Sequence, residues 1–207
     1  MRLTRDVIGD SIHNFIWNPA MPNLFAFIDG LGSVSTYSID KQVTNVGKSI
    51  ADVNNSSICW SPKGKQIVVV KYDGSLELFS ENMQSKKKHP SLTINASFPP
   101  CISVLWISTP QFLLGFSKSN SSSDQNPFVH IMATYNKEQP PKTQIFYDLF
   151  FDVMDVPVNT NLQYFYVQSN QNKNVICGLS KSIKISVLGS DELTPVCFSR
   201  IDFLLQR

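Results

Sequence analysis

The sequence predicts an all-β protein, a β-propeller, on three observations. A tryptophan-centred unit recurs as Ile16-Trp17-Asn18-Pro19, Ile58-Cys59-Trp60-Ser61-Pro62 and Val104-Leu105-Trp106-Ile107. Its tryptophans stand 43 and 46 residues apart, within the roughly 40–50-residue period of propeller blades. Between them lie short apolar runs punctuated by Gly, Pro, Asn and Asp, with no long helical periodicity.

The elements follow in order. After Trp17 come the turn residues Pro19 to Pro22, the apolar run Leu24 to Ile28, the turn Gly30 to Gly32, and Val34 and Tyr37 in alternation. The second unit repeats this grammar: Pro62-Lys63-Gly64 is a turn by composition, Ile67 to Val70 a strand, Asp73-Gly74 a hairpin signal, and Leu76 and Leu78 an alternating strand. In the third, Phe112 to Phe116 supplies the second strand. A polar stretch from Ser117 to Gln125 then replaces the tight turn, and Phe128, Val129 and Ile131 resume a strand.

Composition narrows the function classes. A chain of 207 residues, 42% hydrophobic and 16% charged, can bury a core and suits a β-rich protein with long loops. Its formal charge of +2 gives no electrostatic footprint for nucleic acid or an acidic membrane. No apolar run reaches the ~20 residues of a membrane span, and Met1 to Asp6 lacks the apolar core of a signal peptide, so a cytosolic or nuclear compartment is expected.

Candidate chemistry is sparse. Cys59, Cys101, Cys177 and Cys197 are scattered and form no C-x-x-C pair, which predicts reduced thiols packed as small hydrophobes. His13, His89 and His130 show no metal-ligand spacing to a Cys or carboxylate, so no metal and no cofactor is expected. P-loop, G-x-S-x-G, G-x-G-x-x-G and H-E-x-x-H motifs are all absent. Asp148, Asp152 and Asp155 cluster, but Phe150, Phe151, Val153 and Val156 among them favour a strand and turn at a blade rim over paired catalytic carboxylates. Lys86-Lys87-Lys88-His89 reads as a solvated basic loop before Pro90. Asn55, Asn95 and Asn120 each begin an N-x-Ser pattern that means nothing without secretion. The chain is expected not to be an enzyme.

The run Ser57-Ile58-Cys59-Trp60-Ser61-Pro62-Lys63-Gly64-Lys65-Gln66-Ile67, followed by Asp73-Gly74, closely resembles a blade in the N-terminal propeller of a nucleoporin family. These are the large FG-repeat nucleoporins of the cytoplasmic face of the nuclear pore, animal counterparts of the yeast nucleoporin that recruits the DEAD-box helicase of mRNA export. Ile16 to Pro19 with Gly32-Ser33-Val34 resembles the preceding blade, and Val104 to Ile107 the following one. Tyr164 to Val167, Val175 to Cys177 and Ile185 to Leu188 fit a fourth blade that lacks a tryptophan. The blades are WD40-like but divergent, without Gly-His or Trp-Asp dipeptides. Blade units are expected at roughly 10–50, 51–97, 98–157 and 158–207.

The resemblance implies a seven-bladed ring, whereas this chain has material for about four blades at ~40–50 residues each. A partial propeller is therefore expected, whether a piece of a longer protein, an incomplete gene model or a divergent short form. Phe-Gly dipeptides, through which the family docks transport receptors, do not occur.

By resemblance, the chain is a non-enzymatic interaction module that docks an mRNA-export DEAD-box helicase at the pore, among other nucleoporins, without direct nucleic-acid contact or membrane insertion. The alternative is a generic WD40-like scaffold propeller for another peptide or complex. A surface competing for a helicase's basic RNA-binding face calls for acidic and hydrogen-bonding loop residues. The resemblance places such contacts on one rim of the later blades. Asn95 and Ser97, in the loop before the Trp106 blade, and Asp191, Glu192 and Arg200, in a loop from Gly189 to Arg200, are the candidates, with solvated rim charges as the alternative reading.

Overall fold

A computed structural model describes residues 11–92, 100–108, 110–117, 128–135 and 141–147 and, for four further strands between residues 163 and 200, the backbone course and pairing. The fold is all-β. The first sheet comprises β1 (Ile12–Trp17), β2 (Leu24–Asp29), β3 (Val34–Ile39) and β4 (Val43–Lys48), and the second β5 (Asn55–Trp60), β6 (Gln66–Lys71), β7 (Leu76–Ser80) and β8 (Ser85–His89). The third holds β9 (Cys101–Ser108), β10 (Gln111–Ser117), β11 (Phe128–Thr134) and β12 (Lys142–Tyr147), and the fourth β13 (Gln163–Gln168), β14 (Asn174–Leu179), β15 (Lys184–Gly189) and β16 (Pro195–Arg200). Within each sheet the strands pair antiparallel in chain order, and the first strands β1, β5, β9 and β13 lie next to one another in turn. This is the blade arrangement of a β-propeller, in a partial ring.

The repeat extends to individual hydrogen bonds. Between β2 and β3, Asp29 N donates to Ser33 O and Gly32 N to Asp29 O; between β6 and β7, Lys71 N donates to Ser75 O and Gly74 N to Lys71 O. Both turns need a residue at positive φ, which Gly32 (77°) and Gly74 (79°) supply without a Cβ penalty. Asp29 Oδ1 accepts from Leu31 and Ser33 N, and Asp73 Oδ1 from Ser75 N, so the turn aspartates hold the backbone they begin.

The central strands read as unbroken apolar runs because both their faces are covered. Every residue of β2 is buried, as are Ile67 to Val70 of β6 and Phe112 to Phe116 of β10. One core joins Leu24, Ala26, Ile28 and Val34 of the first sheet to Ile58, Trp60, Ile67 and Val69 of the second. A further core joins Val68, Val70 and Leu76 on the second sheet's other face to Val104, Trp106, Phe112 and Leu114 of the third. The outer strands β4 and β8 are mostly exposed, with polar sequences that suit a sheet edge.

Three expectations need correction. Lys86, Lys87 and Lys88 form no loop: they are the middle of edge strand β8, exposed on both of its faces, with Lys88 Nζ 3.5 Å from Glu77 Oε1 across the pair. Lysines at an edge discourage pairing with another sheet while keeping the strand extended. The stretch from Gly189 to Arg200 is likewise not one loop, since Gly189 ends β15 and Pro195–Arg200 is β16. Pro195 is tolerated there because β16 is an edge strand.

The third correction concerns the tryptophans, whose repeat predicts that each indole packs between neighbouring blades. Trp60 and Trp106 pack against the preceding sheet and are 4% and 3% exposed, whereas Trp17 is 52% exposed. Among the described residues no sheet precedes the first. Trp17 rests instead against Phe15 and Phe25, at centroid distances of 5.5 and 5.4 Å, on a face shared with Phe27 and Tyr37.

Candidate functional site

Antiparallel strands send successive links to alternate rims of the blades. On one rim lie the β2–β3 and β6–β7 turns and the link from β4 to β5; on the other lie the β1–β2, β3–β4, β5–β6 and β7–β8 turns. The first rim is tied across blades by Asn55 Nδ2 donating to Gly32 O at 2.9 Å, and the link entering the second blade is held by Tyr72 N donating to Asn54 O at 2.9 Å and by Lys71 Nζ 2.8 Å from Asp52 Oδ2. The hydrogen bond from Lys71 lowers the Asp52 pKa, and that bond raises the pKa of Lys71. The second rim is tied by Asn18 Nδ2 donating to Gly64 O at 2.7 Å and Thr36 Oγ1 donating to Glu81 O at 2.7 Å.

Of the contact candidates, Asn95, Ser97, Asp191 and Glu192 lie outside the described residues. Arg200 is the last residue of β16, opposite Lys184 of β15, rather than part of a loop. Strand β8 ends and β9 begins on the first rim, whereas β15 ends and β16 begins on the second.

Asp148, Asp152 and Asp155 also lie outside the described residues. Among the described residues no three His, Cys, Asp or Glu side chains converge as a metal site. The imidazoles are placed apart: His13 is exposed beside Ser11, His89 stacks at 4.1 Å on Tyr135, and His130 is enclosed in β11. Burial lowers the pKa of His89, and it pushes His130 down to about 3. Burial pushes the thiols the other way, Cys59 to about 11 and Cys101 to about 12, so both are neutral, unreactive packing groups at pH 7. Cys59 Sγ also accepts from Trp106 N, a role between blades that no motif announces.

Stacked blades with cross-linked rims define a class, the β-propeller whose loops present binding surfaces. The chain belongs to the NUP159/214 β-propeller family, whose model matches residues 2–199. It is similar to Nuclear pore complex protein Nup214 of Homo sapiens, 26% identical over 196 residues covering 93% of this chain, and to Nup214 of Drosophila melanogaster, 27% over 189 residues covering 88%. The aligned parts make up only 9% and 11% of those relatives. Among solved structures it resembles the Saccharomyces cerevisiae assembly of Dbp5 with Nup159, Gle1, IP6 and ADP, at TM-score 0.57 and 14% identity, covering 85% of this chain and 49% of that one. Sqt1 from Chaetomium thermophilum matches at TM-score 0.58 and 16% identity, covering 94% and 48%. The similar nucleoporins are nuclear pore complex proteins, and the chain is a nucleoporin propeller of the interaction-module kind.

Proposed function

We propose that this chain is a non-enzymatic docking module of the nuclear pore that holds an mRNA-export DEAD-box helicase at the cytoplasmic face. The observation that carries this reading is membership of the NUP159/214 propeller family across residues 2–199. The similarity to an assembly in which Dbp5 is bound to Nup159 supports the choice of partner. Docking through loops fits a fold whose faces are consumed by blade packing and whose turns are held by hydrogen bonds, so that loop residues are presented at low ordering cost.

Asp191 and Glu192 are proposed as helicase contacts through basic groups of the partner, with Arg200 pairing a partner carboxylate and Asn95 and Ser97 contributing hydrogen bonds. Charge reversal of Asp191 and Glu192 to Lys should weaken helicase binding more at low salt than at high salt. Unchanged affinity at low salt removes this segment from the interface. A generic scaffold reading draws on the similarity to Sqt1, whose TM-score equals that of the nucleoporin assembly to within 0.01; it predicts no helicase binding at all.

A further inference from the structure

The two rims differ in what they show to solvent. At the first rim Leu31, Ile50, Val53 and Tyr72 are 69%, 92%, 73% and 44% exposed. The described turns of the second rim expose no large hydrophobic side chain and carry instead exposed Lys41, Lys63, Lys65 and Glu81. Scattered exposed apolar residues need no explanation, but four gathered at the links of one rim mark a surface made to be covered. They stand on three segments fastened to one another through Gly32, Asn54, Asn55 and the Asp52–Lys71 pair, so the platform exists before anything binds.

The charges around it select the partner. Lys71 pairs with Asp52 and Lys48 lies 3.7 Å from Asp29, whereas the exposed Asp73 forms no ion pair among the described residues. An anionic lipid surface meets no cationic cluster here and is repelled by Asp73, whereas an apolar protein segment flanked by Lys or Arg satisfies both the hydrophobic tips and the carboxylate. We propose that the rim formed by Leu31, Ile50, Val53, Tyr72 and Asp73 docks an apolar, basic-flanked segment of a partner protein. This surface shares no residue with the helicase contacts proposed above, and its failure leaves them untouched.

The test is to pan a phage-displayed library of random dodecamer peptides on the 207-residue chain and measure the affinity of the enriched peptides as synthetic ligands. Enriched peptides are expected to combine apolar residues with Lys or Arg. The double variant Ile50→Ser, Val53→Ser and the variant Tyr72→Ala are each expected to weaken them by about tenfold or more. Asp73→Lys should weaken binding and abolish its salt dependence, while Lys63→Glu on the opposite rim leaves it unchanged. All these sites are exposed, so an unchanged melting temperature verifies the fold of each variant. Absence of enrichment, equal affinity for the rim variants, or binding to phosphatidylserine vesicles that the same substitutions abolish overturns the proposal, as does self-association lost in those variants.

Discussion

The backbone N–H of Trp106 donates to Cys59 Sγ at 3.4 Å, joining two strands whose partners are 47 residues apart in the chain. The thiol serves as a hydrogen-bond acceptor between the second and third blades while packing against the core that they share. Removing it as Cys59→Ala strands a buried N–H and should cost about 1–3 kcal/mol, measured by urea unfolding. Cys59→Ser keeps an acceptor and should cost less. In the native chain, the fully buried Cys101 should react with a thiol reagent at pH 7.5 only as fast as the protein opens.

The tryptophans give a contrast within one repeat. Trp60→Ala should cost about 3–5 kcal/mol, as for a buried aromatic side chain. Trp17→Ala removes mainly edge-on contacts with Phe15 and Phe25 and should cost about 1 kcal/mol. Equal costs would contradict the half-exposed placement of Trp17. Trp60 Nε1 and Trp106 Nε1 are buried without a hydrogen-bond acceptor, so Trp→Phe at either position loses no bond and should be far milder than Trp→Ala.

Asn18 makes the corner between the first two blades. Its Nδ2 donates to Gly64 O, and its Oδ1 accepts from Ala20 N and Met21 N at 2.9 Å each. Asn18→Ala should destabilise by about 2 kcal/mol or more, because the groups left behind are buried or partly buried. Gly64→Ala should be at least as damaging: Gly64 sits at φ +67°, and an added Cβ would stand 2.2 Å from Asn18 Oδ1. Thermal melts of the two single variants and the double variant test whether the pair acts as one unit.

Acid should unfold the chain through its buried histidines. His89 and His130 have folded-state pKa values below the ordinary 6.5, so below pH 6.5 the unfolded chain binds protons that the folded chain refuses. The associated stability is fully present above about pH 7 and is lost as pH falls toward the folded values, by up to about 1.4 kcal/mol per pH unit for each histidine. Urea midpoints measured from pH 7.5 to 4.5 should fall accordingly. His130→Gln should flatten the slope whatever its effect at pH 7.5, and an unaltered slope would refute the assignment.

The parts of the fold that bury apolar surface are legible in the sequence, and the parts that do not are not. Leu24 to Ile28, Ile67 to Val70 and Phe112 to Phe116 announce their strands because both faces of each are covered, and Asp73-Gly74 announces a turn through its φ requirement. Edge strands β4 and β8, with sequences VTNVGK and SKKKH, carry no such pattern because water covers them, so Lys86 to Lys88 reads as a loop. The exposure of Trp17 is equally invisible: its repeat position is right, and only the neighbour that would cover it differs. The apolar rim was within reach, since Leu31, Ile50, Val53 and Tyr72 interrupt polar turns, but which turns share a rim follows only from strand order.

A nucleoporin propeller arc that docks the helicase, as proposed, should bind that protein and not nucleic acid. The most direct test is a titration of the 207-residue chain with the mRNA-export DEAD-box helicase, and in parallel with single-stranded RNA, followed by fluorescence anisotropy at low and physiological salt. Lys86 to Lys88 point to alternate faces of β8 and one of them pairs with Glu77, so β8 offers RNA no continuous basic groove. Helicase binding is expected to be saturable and to weaken with salt, with no RNA binding at micromolar concentrations. RNA binding at physiological salt, or no helicase binding at either salt, contradicts the proposal.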